Sequence, residues 1–135
     1  MIELTPCKEF PPELRASLSP IAKSDYDAWY SCLPHFFRMS AECYYVHDGE
    51  TPLLVIGAAR ASLLDPAAEL WLYASHHLRF IHIPALRERF AEWRAEHPGR
   101  LYARAREQTS EKLFRFFGFR HTETLPDGVK IYEVD

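Results

Sequence analysis

At 135 residues the chain has the length of one domain with a single sizeable core. A hydrophobic share of 47% with 14% aromatic residues excludes an intrinsically disordered chain. The formal net charge of −3 hides a division: His76 to Arg120 carries ten Arg/Lys against five Asp/Glu, and the remainder six against fourteen. A basic half can hold a phosphorylated ligand, but neither Lys/Arg runs nor interleaved aromatics are present, so nucleic acid is not expected as a partner.

No apolar run approaches the roughly 18 residues of a membrane helix; the longest, Pro52 to Ala59, has strand length. The N-terminus shows no basic segment followed by an apolar one, which predicts a cytoplasmic chain.

In chain order, Ile2 to Cys7 is a predicted strand. Pro11-Pro12 then opens a helix through Leu14 and Leu18, because proline suits a first turn and disrupts an interior. Ser24, with Asp25 and Asp27 behind it, predicts the N-cap of a second helix. That helix carries Trp29, Leu33, Phe36 and Phe37 at near-helical spacing, with Pro34 kinking or ending it. Cys43 to His47 is a β-type run, and Asp48-Gly49 a hairpin turn. Pro52 to Ser62 is the partner strand, in which Gly57 marks a bulge or a close approach.

Asp65-Pro66 predicts a break before a strand from Ala68 to Ser75. Its Leu70-Trp71-Leu72-Tyr73 core is apolar on both faces, the mark of a central strand. A loop from His76 to Ile83 leads into a helix from Pro84 to about His97. Leu86, Phe90 and Trp93 turn inward, Arg87, Glu88, Glu92 and Arg94 outward, and Pro98-Gly99 stops it. The last third predicts a strand (Leu101 to Ala105), a helix (about Thr109 to Phe117) ended by Gly118-Phe119, and two strands joined across Asp127-Gly128. The order β-α-α-β-β-β-α-β-α-β-β describes a single α/β domain over residues 1–135, a mixed sheet flanked by helices.

An apolar helix closed by Gly-Phe, after a short strand and behind a central strand, loop and helix, resembles the GNAT superfamily of N-acetyltransferases. The resemblance spans nearly the whole chain and is most specific from Glu69 to Val134. It implies acetyl-coenzyme A as cofactor, in a cleft where the fourth and fifth strands splay. Pantetheine would pair with the backbone at Leu72 and Ala74, and the diphosphate would sit on the following loop and helix N-terminus. There, free N–H groups and the helix dipole hold an anion.

The family's loop pattern is Gln/Arg-x-x-Gly-x-Gly/Ala, and this chain reads Arg79-Phe80-Ile81-His82-Ile83-Pro84. Arg79 fits; His82 and Pro84 replace glycines, and a proline removes an N–H donor. Charge pairing by Arg79, with His82 or His76 when protonated, is what remains for an anion. The family's tyrosine acid, four residues before the glycine, falls on Phe114, whose ring cannot protonate a thiolate. Glu69 is the one carboxylate on the fourth strand able to stand for the family's base. Glu107 falls where an asparagine is usual, and Ser110 fits a small-residue position.

Within that superfamily the layout is most similar to small GNAT-like proteins of tailed bacteriophages, including an internal virion protein family. The segments that carry this are Ser40-Ala41-Glu42-Cys43, the Pro52 to Gly57 strand, the Trp71-Leu72-x-Ala-Ser strand end and the loop without paired glycines. Two function classes follow. One is a phage- or prophage-encoded GNAT-like protein with a degraded acetyl-CoA site, acting through a protein partner in a virion or against a host target. The other is an active acetyl-CoA-dependent N-acetyltransferase acting on an amine of a small molecule or protein. A homodimer is compatible with either.

Other constellations carry less. His76, His77 and His82 lack the helical i, i+4 spacing of a metal motif, and no metal is expected. Cys7, Cys32 and Cys43 form no CxxC and read as reduced thiols packed as small apolar groups. Cys43 and His47, four apart on a strand, would lie about 13 Å from each other, too far for a nucleophile and its base. Phe114, Phe116, Phe117, Phe119, Trp93 and Tyr132 read as core. Tyr30, Phe36, Phe37, Tyr44 and Tyr45 read as packing, or as an aromatic border suited to a cationic amine.

Overall fold

The computed structural model describes residues 1–60, 64, 66–106 and 108–134, the side chains of Ala41 and Thr109 excepted. Seven strands hydrogen-bond in the order β1-β2-β3-β4-β5-β7-β6, numbered along the chain, with helices α1 to α5 between them. The α/β class and mixed sheet are therefore those expected, and β4 (Ala68–Ala74) is the middle strand. The chain forms two compact units, Met1–Ala59 with Trp71–His82 and Arg60–Leu70 with Ile83–Asp135, and β4 passes from the second into the first. Among the described residues no helix is long and apolar enough to cross a membrane.

In the first unit, β1 (Ile2–Pro6), β2 (Ser40–Asp48) and β3 (Thr51–Ala59) form an antiparallel meander. Gly49, at φ +59°, supplies the left-handed step of the hairpin that pairs Asp48 with Thr51. Leu53, Leu54 and Val55 of β3 are all fully buried, each side chain contributing about 1.5–3 kcal/mol by leaving water. The strand ends at Ala59, short of the expected Ser62, which lies outside the described residues, as does Asp65. The irregularity expected at Gly57 sits on β2, between Ser40 and Cys43, with Gly57 opposite Cys43. Gly57 itself meets a close approach: a Cβ there would stand 2.6 Å from the Trp71 ring. That ring is held by a hydrogen bond from Trp71 Nε1 to Ser40 Oγ at 2.9 Å and by the edge of Phe37.

The N-terminal helices differ from expectation. After α1 (Pro12–Arg15), α2 (Pro20–Trp29) begins four residues before Ser24, because Ser19 is the cap: its Oγ accepts the Ala22 N–H at 3.3 Å. Proline at the next position is pre-set for a first turn, and this outweighs the Asp25 and Asp27 signal. Pro34 does not kink a long helix. A 3-10 turn (Tyr30–Cys32) intervenes, and α3 (Leu33–Met39) starts afresh with Pro34 in its first turn, where no N–H is required. Leu14, Ala22, Tyr26, Leu33, Phe37, Cys43, Val55 and Tyr73 form the core of this unit.

In the second unit, Ala68 and Glu69 of β4 pair in parallel with Leu101 and Tyr102 of β5 (Leu101–Ala105). β7 (Lys130–Val134) runs antiparallel to β5, with β6 (Arg120–Thr124) outside it. Helix α4 (Ile83–Glu96) buries Leu86 and exposes Arg87 and Arg89. Arg94, expected outside, is half-buried because its guanidinium donates to the carbonyls of His97 and Val134 at 3.1 and 3.3 Å. Helix α5 (Gln108–Phe116) ends in a Schellman motif: Phe119 N–H bonds the Phe114 carbonyl and Gly118 N–H the Arg115 carbonyl, both at 3.0 Å, with Gly118 at φ +91°.

Candidate functional site

The chain leaving β4, from Ala74 to His76, is hydrogen-bonded along both edges. Ser75 N–H donates to the Leu53 carbonyl at 2.8 Å on the β3 side. On the opposite edge the Ala74 carbonyl accepts the Ser19 N–H, and His76 N–H donates to the Ser17 carbonyl, both at 3.0 Å. These bonds make an antiparallel bridge between Leu18 and Ser75. The buried Ser75 hydroxyl donates to Ser17 Oγ and accepts the His77 N–H. Of the two backbone positions expected to pair with pantetheine, Ala74 therefore already has an intramolecular partner; Leu72, half-buried, lies in mid-strand.

The segment after β4 closes on itself. The Arg79 N–H donates to His82 Nδ1 at 3.0 Å, and the His82 N–H donates back to the Arg79 carbonyl at 3.0 Å. A backbone N–H can only donate, so Nδ1 carries no proton and the neutral ring bears its proton on Nε2. Nε2 lies 3.8 Å from Asp48 Oδ2, and the same carboxylate binds the N-terminal ammonium at 2.9 Å. That ammonium, by hydrogen bond and then by charge, holds the Asp48 carboxyl below its ordinary range. The His82 ring is buried, whereas Arg79 points outward and Phe80 and Ile81 are about four-fifths exposed. The expected pairing of Arg79 and His82 on an anion thus meets a histidine whose ring faces inward.

Glu69, Ser110 and Phe114 belong to the second unit; Leu72, Ala74, Arg79 and His82 belong to the first. Glu69 is half-buried beside Arg104, whose Nε lies 3.4 Å from its carboxylate. Burial raises the Glu69 carboxyl above the ordinary glutamate range, against the opposing pull of Arg104, Arg106 and a hydrogen bond with Tyr102. Ser110 is half-buried in the first turn of α5. Phe114 is buried against the rings of Phe119 and Tyr132, with centroids at 5.7 and 6.3 Å. Glu107 lies outside the described residues.

One polar cluster had no counterpart in the sequence reading. The Tyr132 ring is wholly buried, as expected of a core residue, but its hydroxyl donates to Glu111 Oε1 at 2.7 Å. Lys130 Nζ reaches the same oxygen at 3.0 Å, and Arg115 donates to the Tyr132 hydroxyl at 3.4 Å. The Tyr132 hydrogen bond, then Lys130, lowers the Glu111 carboxyl below its ordinary range. Burial, then Glu111, raises the Tyr132 phenol. The signals available were Glu111 and Arg115 at i, i+4 on a helix, and Lys130 and Tyr132 at i, i+2 on a strand. Among the described residues no group of three or more His, Cys, Asp or Glu is disposed around a metal.

No family model and no curated protein matches the sequence. Solved structures match over its whole length. A Bacillus subtilis acetyltransferase in complex with CoA is 12% identical at a TM-score of 0.64, covering 100% of this chain and 99% of that one. The GNAT domain of S. lividans PAT is 17% identical at 0.69, covering 99% and 90%. Campylobacter jejuni N-acetyltransferase PseH, in complex with acetyl coenzyme A, is 15% identical at 0.65, covering 100% and 99%. At this identity the likeness gives the fold: the chain has the architecture of the GNAT acetyltransferases.

Proposed function

We propose that this is a GNAT-like binding protein that does not carry out acetyl-CoA chemistry and acts through a protein surface. Its resemblance to phage GNAT-like proteins makes a virion component or a host protein the partner of this reading. The observation that carries it is the closed turn after β4. The main-chain donors of Arg79 and His82 are spent within the turn, and Pro84 has none. A coenzyme A diphosphate needs several N–H groups directed at one anion, and three positions of this segment have none to offer, which supports the reading. The Ser19 bond to the Ala74 carbonyl and the buried Phe114 support the same reading.

The test is a thermal-shift titration of the full chain with millimolar acetyl-coenzyme A. The expected result is no shift. A clear shift that disappears in Arg79→Ala overturns this reading and moves the protein to the second one, an N-acetyltransferase acting on an amine. The observation favouring that second reading is Glu69, a half-buried carboxyl whose raised proton affinity suits a proton acceptor.

A further inference from the structure

Cys7 follows β1, and Cys43 lies in β2. The register from Ile2↔Asp48 to Pro6↔Tyr44 makes these two cysteines the next opposed pair, and the Cys7 N–H donates to the Cys43 carbonyl at 2.9 Å. Opposed residues of a hydrogen-bonded pair have Cα atoms about 5.5 Å apart, within the span of a disulfide. The two Sγ atoms are 3.5 Å apart. Access to them is unequal. Cys43 is buried in the core of its unit, while Cys7 is half-buried and lines an open cavity of about 380 Å³ beside Lys8, Glu13 and Tyr45.

The sulfur–sulfur contact also divides the chemistry. Either sulfur of the contact can donate. Because Cys43 is the more deeply buried, its thiolate is the costlier one, so the shared hydrogen bond lowers Cys7 below the ordinary cysteine range while that bond and burial push Cys43 above it. The thiolate is thus favoured at the residue that lines the cavity and disfavoured at the one enclosed in the core.

We propose that Cys7 and Cys43 form a hydroperoxide-reactive dithiol pair, with Cys7 the attacking sulfur and Cys43 the resolving one. In the first step the Cys7 thiolate forms an S–O bond to one peroxide oxygen as the O–O bond breaks. The departing hydroxide takes the proton released by Cys7, leaving a sulfenic acid and water. In the second step the Cys43 sulfur attacks the Cys7 sulfur and the S–O bond breaks. The departing hydroxide takes the Cys43 proton as a second water. Two thiols have lost two electrons to one peroxide, and the sulfurs have closed by about 1.5 Å to bonding distance. A small-molecule dithiol reverses the reaction by exchange. Cys32, half-buried in the 3-10 turn of the same unit, has no place in this pair and serves as an internal control.

The experiment treats the reduced full chain with hydrogen peroxide, then alkylates it and measures intact mass and a peptide map. The expected result is a loss of two hydrogens in mass and a fall in alkylatable thiols from three to one, the survivor being Cys32. A Cys7–Cys43 linked peptide should appear, and dithiothreitol should restore all three thiols. Cys32→Ser should behave as wild type, and Cys43→Ala should stop at a Cys7 sulfenic acid trapped by dimedone. Oxygen addition to the wild-type chain without loss of two hydrogens overturns the proposal. So does a link through Cys32, or three thiols still open after peroxide. Should Cys43→Ala fail to fold, the wild-type peptide map decides alone.

Discussion

The entry to α4 and the end of α5 are two of the places to which the GNAT resemblance assigns chemistry, and they depart from it by different physical routes. At α5 the assigned acid position holds Phe114, which packs with Phe119 and Tyr132 in the core of its unit. At the α4 entry His82 stands where a glycine is usual; its ring accepts the Arg79 N–H, and its own N–H returns to the Arg79 carbonyl. One position has been absorbed by apolar packing and the other by internal hydrogen bonding. Stability is therefore tied to the first through buried apolar area and to the second through hydrogen bonding by a buried ring.

The largest effect should come from Phe114→Ala, which empties a buried ring site at a cost of about 3–5 kcal/mol. Urea unfolding followed by tryptophan fluorescence measures it. A loss below about 0.5 kcal/mol, the range of surface changes, would show that Phe114 is not a core residue and would remove one side of the comparison. Phe114→Tyr sharpens it. It places a hydroxyl among apolar rings, costing about 1–3 kcal/mol where no partner is met, and should yield no acetyl transfer.

His82→Ala should cost less, about 1–2 kcal/mol, by leaving the Arg79 N–H without its acceptor and opening the space the ring fills. Arg79→Ala, on an exposed side chain, should stay within about 0.5 kcal/mol of wild type. Chemical denaturation of the pair checks the contrast. Equal losses would mean that the turn is not held by the histidine ring.

The same two places show what was legible in the sequence. Gly118-Phe119 could be read because a Schellman motif needs a residue tolerant of φ +91° followed by an apolar one, a local requirement. The apolar run Leu70 to Tyr73 likewise announced the central strand. A helix start is ambiguous where two caps compete: Ser24 has acidic followers, but Ser19 has Pro20, whose backbone is already set. The inward His82 ring depends on a turn that no spacing rule specifies. The Glu111–Tyr132 hydrogen bond spans 21 residues and the Cys7–Cys43 contact 36, so both depend on packing and strand register. Composition held the residues of these pairs but not their adjacency.

The smallest effect, and the one that tests whether any proton chemistry remains near β4, concerns Glu69. Its folded-state affinity for a proton is raised by burial above the ordinary glutamate value of 4.5. As pH rises through 4.5 the unfolded chain releases this proton while the folded chain still holds it. The unfolded state then binds fewer protons, so stability falls with pH until the folded carboxyl also ionises. Glu69→Gln should abolish that fall and leave the acid end unchanged. Glu111, whose carboxyl is lowered by Tyr132 and Lys130, has the opposite sign: its contribution is present above the ordinary glutamate value and is lost as pH falls through its lowered one. Thermal melts of wild type, Glu69→Gln and Glu111→Gln from pH 3 to 7, about the span of carboxylate titration, separate the two. If Glu69→Gln leaves the slope above 4.5 unchanged, the carboxyl is no more basic than a solvated one. The observation favouring an acetyltransferase then goes with it, since a base prepared by burial is what that reading takes from the structure.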